Sequence, residues 1–361
     1  MGDSNRLTSW LLVSVQAAVA VAAEFNYRAL PQARGNSVQY DEQISIIIPA
    51  RNEAHRLPAL LRSLDALCYP DYQVIVVDDA SSDGTGDLAR ASGARVITLA
   101  GPPPGWTGKA YACACGAEAA NGAWLLFTDA DTVHQPDSLR VALAMAQIEQ
   151  VDLMSFLARQ DCIGFWERIV LPYAYFLYFV GAFRLNRTPR GAVANGQYIL
   201  IRRESYMACG GHSAVRASLI EDVALARLAA SLGLRVSLAR GEEQVSVRMY
   251  DSLGGLWEGF AKNAFGFVRT SPLRGICTAV AGIAYGMALP AAWRASSTRL
   301  RLALLCTPFW AVARWQQRFG VSPLLATLYP LAATVFQLIA LDSTRRAITG
   351  AGATWKGRRY A

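Results

Sequence analysis

The chain has 361 residues, of which 53% are hydrophobic and 17% charged, with a formal net charge of +8. Together with a mean hydropathy of +0.22, this composition excludes a wholly soluble chain: apolar segments near both ends and in one central block interrupt the soluble part. The charge does not point to nucleic acid, because Arg294, Arg299, Arg301, Arg314, Arg318, Arg345, Arg346, Arg358 and Arg359 cluster beside apolar stretches that suit anionic lipid headgroups, and no basic run is interleaved with aromatic residues.

Leu7 to Ala23 is an apolar run about long enough to cross a thin bilayer obliquely or to serve as a signal anchor, preceded by the single arginine Arg6. Its alanine-rich end leaves a cleaved secretory signal as the competing expectation. Residues 24–43 are polar and turn-rich, which predicts a linker. From Ile44, short apolar runs at 44–48, 74–77, 95–99 and 123–128 alternate with helix-like stretches near 53–67, 84–92, 108–120 and 136–149. This alternation predicts an α/β domain with a mostly parallel, Rossmann-like sheet covered by helices on both faces. Ligands of such sheets bind beyond the carboxyl ends of the strands.

Acids gather at those ends. Glu53 and Asp79 follow the first two strands, close to Pro49. Carboxylates there can accept hydrogen bonds from a nucleobase N–H or from ribose hydroxyls, while capping the next helix is the other role open to them. Ser81, Asp83, Gly84 and Thr85 read equally well as a turn and as a helix cap. The stiff, glycine-punctuated loop from Pro102 delivers Lys109 to a helix start, a place that suits phosphate, and Trp106 within it is either an acceptor contact or a core or interfacial aromatic. After the fourth strand stand Asp129 and Asp131, two carboxylates one residue apart that can grip a divalent cation. Hard oxygen donors select magnesium or manganese, and a site completed by substrate phosphates needs few protein ligands. Asp131 is the best metal ligand, with Asp129 contacting ribose or the metal shell.

Residues 163–183 are apolar and aromatic but carry Glu167, Arg168 and Pro172. A full crossing here would divide the domain across the bilayer, so an interfacial helix is expected, with a short kinked insertion as the alternative. Glu221 and Asp222 open a helix-like segment. Asp222 is the candidate general base, and a helix N-terminus should lower its pKa and keep it ionised at neutral pH; an ordinary acidic first turn is the plainer reading. Trp257, Phe260 and Ala264 share one helical face that either packs or meets an acceptor emerging from a bilayer, while Lys262 and Asn263 are less easily explained as core. Farther on, 275–293 and 321–341 are candidate spans, and 302–313 is a third span or a surface helix. A cytoplasmic basic tail would favour two C-terminal crossings. Seven scattered cysteines offer no zinc pairing, since Cys113 and Cys115 lack a matching pair, and read as reduced cytosolic thiols. His55, His134 and His212 lack ligand spacing and are expected on the surface or in loops.

The succession Pro49 to Glu53, Val77 to Ser81, Gly105 to Lys109, Thr128 to Asp131 and Glu221-Asp222 resembles family 2 glycosyltransferases over residues 44–265. The loop Gly105 to Lys109, the stretch Trp257 to Asn263 and the ending Trp355 to Arg358 make the chain similar to the hopene-associated membrane branch, with carotenoid glycosyltransferases as near relatives. The resemblance implies a GT-A fold, an inverting mechanism, a UDP-sugar donor and a lipid acceptor. In those terms Pro49, Glu53, Asp79, Lys109, Asp129 and Glu221 bind the nucleotide sugar, Asp131 and Asp129 hold the metal, and Asp222 is the catalytic base. Trp106, Trp257, Lys262 and Asn263 would meet the acceptor. Where processive polysaccharide synthases carry Gln-x-x-Arg-Trp, this chain has Leu253 to Trp257 without that pattern, which implies transfer of a single sugar.

The expected organisation is an anchor and linker at 1–43, a GT-A domain at 44–265 and a C-terminal transmembrane region with a basic tail at 266–361. The expected location is the inner membrane, multi-pass, with the catalytic domain cytoplasmic. A polyprenyl-phosphate acceptor and a non-catalytic sugar-nucleotide-binding scaffold are the alternatives.

Overall fold

The computed structural model describes residues 2–34, 42–270, 272–349, 353–355 and 358–360. In chain order its elements are α1 (Gly2–Arg28), β1 (Ile44–Ala50), α2 (Leu57–Asp65), β2 (Tyr72–Asp79), α3 (Thr85–Ala91), β3 (Arg95–Leu99), α4 (Gly108–Glu118) and β4 (Trp124–Phe127). There follow β5 (Thr132–His134), α5 (Ser138–Ile148), β6 (Leu153–Leu157), β7 (Arg159–Gln160), α6 (Phe165–Gly181), β8 (Ile199–Arg202), α7 (Arg203–Ala208), α8 (Gly211–Ala214), α9 (Glu221–Ser231), β9 (Val236–Arg240) and β10 (Val245–Val247). The rest is helical, α10 (Leu253–Thr270), α11 (Pro272–Gly286), α12 (Ala288–Arg294), α13 (Thr298–Arg318) and α14 (Tyr329–Ile348), before a hairpin of β11 (Ala353–Trp355) and β12 (Arg358–Tyr360). Two compact units result: a sheet unit of Leu30–Gln160 with Arg184–Arg248, and a helical unit of Met1–Ala29, Asp161–Phe183 and Met249–Ala361. Segments 161–183 and 249–265 thus group with the N-terminal helix.

The main sheet runs β3-β2-β1-β4-β8-β6-β9. Strands β1 to β4 are parallel, β8 is antiparallel to both of its neighbours, and β6 pairs parallel with β9. Central β1 is buried on both faces, which is why it reads as a run of isoleucines and not as an alternation. Helix α4 lies so close to it that a Cβ at Gly116 would come within 2.4 Å of Ile47 Cγ2. Leu125, Phe127, Ile199, Ile201 and Leu225 share one core that ties β4, β8 and α9 together. The antiparallel entry of β8 has a further consequence: Phe127, the last residue of β4, stands opposite Ile199, the first of β8. The segment leading into β8 therefore meets the same sheet edge as the loops leaving β1, β2 and β4. A second sheet, β5-β10-β7, continues from the β4 loop.

In the helical unit, Arg6–Arg28 and Pro323–Arg346 are long and apolar enough to cross a membrane. The expected span at 275–293 is a broken pair, Leu273–Gly286 and Ala288–Arg294, bent by 41°. Residues 302–313 fall inside α13, a 21-residue helix that contains Pro308 and is not among these candidates. Helix α6 lies within the stretch 163–183, for which an interfacial helix or a short kinked insertion is expected. An interfacial helix keeps one polar face in water, whereas α6 is buried nearly all round from Ile169 to Gly181. Its Tyr173, Phe176 and Phe179 rings meet Phe336, Tyr285, Trp315 and Tyr27 from four other helices. With apolar side chains on every face, burial inside the bundle is the stable solution. Some arginines expected at headgroups are engaged within the unit: Arg314 and Arg318 reach Glu24 at 3.7 and 2.6 Å, and Arg345 and Arg346 reach Asp342 at 2.8 and 2.6 Å.

Candidate active site

The loops after β1 and β2 are laced together. The Arg51 guanidinium donates to the Asp79 carbonyl at 3.1 Å, the Asn52 amide to Ser81 Oγ at 2.9 Å, the Glu53 amide to Thr85 Oγ1 at 2.9 Å and the Ala54 amide to Asp83 Oδ2 at 3.0 Å. Asp83 Oδ1 also accepts from the Thr85 amide at 3.1 Å, so the segment at 81–85 does serve as a turn and helix entry. Asn52 and Ala80 hold φ of 53° and 54°, a left-handed conformation that costs a residue such as alanine about 1 kcal/mol. The lacing keeps Glu53 and Asp79 at the sheet edge, both buried, and Pro49 sits in register with Val77 near the end of β1. The Glu53 carbonyl accepts from the Arg56 and Leu57 amides at the start of α2. Arg56 Nη1 then lies 4.0 Å from Glu53 Oε2 and 3.9 Å from Asp131 Oδ2, joining the first loop to the third.

Lys109 is the hub of the other half. Thr107 caps α4 by accepting from the Ala110 amide, which starts the helix where Lys109 points its ammonium at two carboxylates, Asp129 Oδ1 at 2.6 Å and Glu221 Oε1 at 3.0 Å. Asp222, the next residue of α9, accepts from the Gly196 amide at 2.8 Å and from its neighbour Val223 at 2.8 Å. Gly196 is confined: a Cβ there would stand 2.8 Å from Lys109 Nζ and 3.2 Å from Asp222 Oδ2. Residues 53, 79, 109, 129, 131, 221 and 222 thus belong to loops and helix starts at one edge of one sheet.

The electrostatics reverse one expectation. Burial and the adjacent Glu221 push the Asp222 carboxyl up from 3.8 to about 6, against the lowering effect of Lys109 and the two backbone amides. A helix N-terminus alone would have lowered it. Asp222 is still largely ionised at pH 7, with a pKa near the value at which a general base is most effective. Lys109, whose burial works in the opposite sense, is held well above its ordinary value by Asp129, Glu221 and Asp222. The histidines also correct the sequence reading. His55 is exposed, but His134 and His212 are buried, and burial lowers them to about 3 and about 4. His212 Nδ1 lies 3.0 Å from the Tyr206 hydroxyl and His134 Nε2 lies 3.0 Å from Thr128 Oγ1.

Among the described residues no group of three or more His, Cys, Asp or Glu could hold a metal ion. Asp129 and Asp131 remain a candidate pair of carboxylates, Asp129 Oδ1 already paired with Lys109 and Asp131 Oδ2 lying 3.9 Å from Arg56. Two hard oxygen donors fit magnesium or manganese only in a site where substrate phosphates and water supply the remaining ligands.

The acceptor candidates divide. Trp106 packs edge-on against Tyr111, with ring centroids 5.3 Å apart, in the sheet unit. Trp257 belongs to the helical unit, where its indole N–H donates to Asp342 Oδ2 at 2.9 Å and fastens α10 to α14. Lys262 lies in the same helix, and the side chain of Asn263 falls outside the described residues. Two contributors escaped the sequence reading. Arg56 gives no signal in a helix-entry segment, and Gly196 would have been found only by knowing that β8 runs antiparallel; Asn195-Gly196-Gln197 before an apolar run was its one trace.

Comparison with known proteins bears on the family and the fold. The family model described as "Glycosyl transferase family 2" matches residues 45–210. The 4,4'-diaponeurosporenoate glycosyltransferase of Staphylococcus aureus (strain USA300) is 30% identical over 334 residues, covering 88% of this chain and 88% of the relative. The protein of the same description from strain MRSA252 is 29% identical over 333 residues with the same coverage. Among solved structures, the mannosyltransferase PcManGT from Pyrobaculum calidifontis, in complex with GDP-Man and Mn2+, matches with a TM-score of 0.58 at 20% identity over 91% of this chain and 99% of that one, a likeness of fold.

Proposed function

The chain belongs to glycosyltransferase family 2 and has its GT-A fold, and from that premise we propose that it moves one sugar from a UDP-sugar to a hydroxyl of a hydrophobic lipid, of hopanoid or carotenoid type, at the cytoplasmic face of a membrane. The observation that carries this reading is the Lys109 bridge, which ties Asp129, in the loop of the two carboxylates after β4, to Glu221 beside the candidate base Asp222. Glycosyl transfer needs a nucleotide grip, charge neutralisation at the departing diphosphate and a base, and this arrangement offers a residue for each.

In the proposed reaction the acceptor oxygen attacks the anomeric carbon as the bond from that carbon to the diphosphate oxygen breaks, so configuration inverts. The hydroxyl proton passes to Asp222, whose second oxygen stays fixed by the Gly196 amide. Glu53 and Asp79, with Pro49, receive the base and ribose at the sheet edge. Asp131 and Asp129 would hold a magnesium or manganese ion, which when bound neutralises the diphosphate leaving group. Lys109 gives two of its three N–H donors to Asp129 and Glu221, and the third serves an oxygen of the same diphosphate. The apolar exterior of α1 and of the span at Pro323–Arg346 holds the protein in the bilayer from which the acceptor comes; Trp106 is an acceptor candidate of the sheet unit, and Trp257 and Lys262 are candidates of the helical unit. A 30% identical relative named for a carotenoid substrate supports the lipophilic acceptor.

One observation favours a second reading. The relative's substrate name denotes a carboxylate, an acceptor already ionised, and a polyprenyl phosphate would share that property. The test is to incubate membranes containing the protein with radiolabelled UDP-sugars and to extract the lipids. Label in an organic-phase product, stable to the mild alkali that cleaves esters, is the expected result. An alkali-labile ester or an acid-labile phosphodiester would replace the hydroxyl reading. No label from any nucleotide sugar would leave a binding scaffold in its place.

A further inference from the structure

Beneath the loop of Asp129 and Asp131 lies a buried polar group that the reaction above does not use. Thr128, Thr132 and His134 are 1%, 0% and 3% exposed. Thr128 Oγ1 stands 2.8 Å from the Gln197 carbonyl, and Thr132 Oγ1 stands 2.8 Å from the Asp129 carbonyl. A carbonyl only accepts, so each hydroxyl uses its single proton there. The two hydroxyl oxygens lie 2.9 Å apart with no proton left for each other. His134 Nε2, at 3.0 Å from Thr128 Oγ1 and 3.3 Å from Thr132 Oγ1, has to supply one. His134 is therefore the Nε2–H tautomer, its N–H shared between the two threonines, and its burial keeps the ring neutral.

The two carbonyls belong to different halves of the site. One is that of Asp129 itself. The other is that of Gln197, one residue after Gly196, whose amide holds Asp222. Besides the bond to Asp222, neutral hydrogen bonds brace this second segment: Gln197 Oε1 accepts from Asn195 Nδ2 at 2.9 Å and from Gln160 Nε2 at 3.2 Å, and the Asn195 amide donates to Ser155 Oγ at 2.8 Å. With a Cβ at Gly196 already too close to Lys109 and Asp222, a small shift of the segment displaces the carboxylate it holds.

We propose that Thr128, Thr132 and His134 form a clasp that sets the two halves of the active site in register: Thr132 through the Asp129 carbonyl on the donor side, Thr128 through the Gln197–Gly196 segment on the Asp222 side. They are positioning residues, and none touches substrate. What each half does in the reaction rests on the function proposed above; the clasp itself does not.

The test compares the full chain with Thr128→Val, Thr132→Val, Thr128→Ser and His134→Gln by amide hydrogen exchange and by steady-state transfer. Valine keeps the shape of threonine and removes the hydroxyl, while glutamine can present an N–H where Nε2–H stands. Thr128→Val should speed exchange roughly fivefold in peptides covering 194–198 and lower kcat about tenfold with the donor KM within about twofold. Thr132→Val should instead loosen peptides covering 129–133 and raise the donor KM about fivefold. Thr128→Ser and His134→Gln should stay within about twofold of wild type in both measurements. Identical patterns for the two valine variants, a uniform rise in exchange across the sheet unit, or no change at either segment would overturn the proposal. If a valine variant does not fold, His134→Leu against His134→Gln decides: leucine should loosen both segments and glutamine neither, and equal behaviour refutes the clasp. Exchange is read without substrate, so a wild type that transfers no sugar removes the functional reading while the exchange pattern still judges the clasp.

Discussion

Replacing Asp222 with asparagine should separate catalysis from stability in opposite directions. The folded-state pKa of Asp222 is raised from 3.8 to about 6 by burial beside Glu221, so the site favours the protonated acid. The linkage gives that preference its full effect below pH 3.8, and it is lost as the pH rises through about 6. Two units correspond to about 3 kcal/mol, which the ionised wild type forgoes at pH 7. Asparagine never ionises, but it has one acceptor oxygen where the carboxylate has two, so it keeps only one of the bonds from the Gly196 and Val223 amides, an offset of about 1 kcal/mol. Partial solvent access to Asp222 trims the remainder to about 1–2 kcal/mol. The variant should therefore melt a few degrees (about 2–5 °C) above wild type at pH 7 and no higher than wild type near pH 4, while transfer to a hydroxyl falls at least about 100-fold. Thermal unfolding in detergent across pH 4 to 7.5, paired with label transfer at pH 7, measures both. A melting difference that ignores pH, or a variant less stable than wild type at neutral pH, would refute the electrostatic reasoning.

Glu221→Gln removes the charge that raises Asp222, so the acid limb of the kcat–pH profile should move below pH 6; an unchanged limb would show that the two carboxyls do not interact. Lys109→Met removes a charge that lowers Asp222 and leaves Asp129 and Glu221 without their shared partner, so the same limb should move above pH 6 and kcat/KM should fall about 30-fold, the equivalent of about 2 kcal/mol for a pair one-third exposed on the lysine side. A limb that stays put in this variant would place Lys109 outside the acid cluster. Chelation should lower transfer at least about tenfold, with recovery on adding Mn2+ or Mg2+; full activity in excess chelator would remove the metal role given to Asp129 and Asp131.

The parallel strands were legible because burial on both faces leaves an unbroken apolar run, as in Ile44 to Ile48, and acids at the ends of such runs have few packing reasons to be there. Glu53, Asp79, Asp129 and Asp131 were readable for that reason. What escaped depends on tertiary neighbours. The direction of the Asp222 shift is set by burial and by Glu221, and a helix N-terminus seen in sequence carries only the opposing, weaker influence. His134 and His212 lie in segments whose periodicity does not reveal that both faces are covered. The central position of α6 follows from helices distant in sequence on both sides, α1 before it and α11, α13 and α14 after it. The Gly196 segment is brought to Asp222 through the antiparallel pairing of β8 with β4, a choice that no local pattern announces.

The charge of the cluster bears on which acceptor is used. Asp129, Glu221 and Asp222 against Lys109 leave two negative charges in excess. A carboxylate or phosphate acceptor would bring its own negative charge to within contact of Asp222, a repulsion of about 4 kcal/mol at 4 Å for an effective dielectric of 20. A hydroxyl meets no such barrier and gains a proton acceptor with a pKa near 6. The Gly196 amide eases this asymmetry without removing it, because it binds the Asp222 oxygen and not the incoming one. Asp222→Asn therefore discriminates acceptors as well as mechanisms: on an ionised acceptor the substitution should leave turnover unchanged or raise it, and on a hydroxyl it should nearly abolish it. An enzyme built for an anion would do better with a neutral or cationic side chain at this position, so the carboxylate held between Gly196 and Val223 argues for a lipid alcohol.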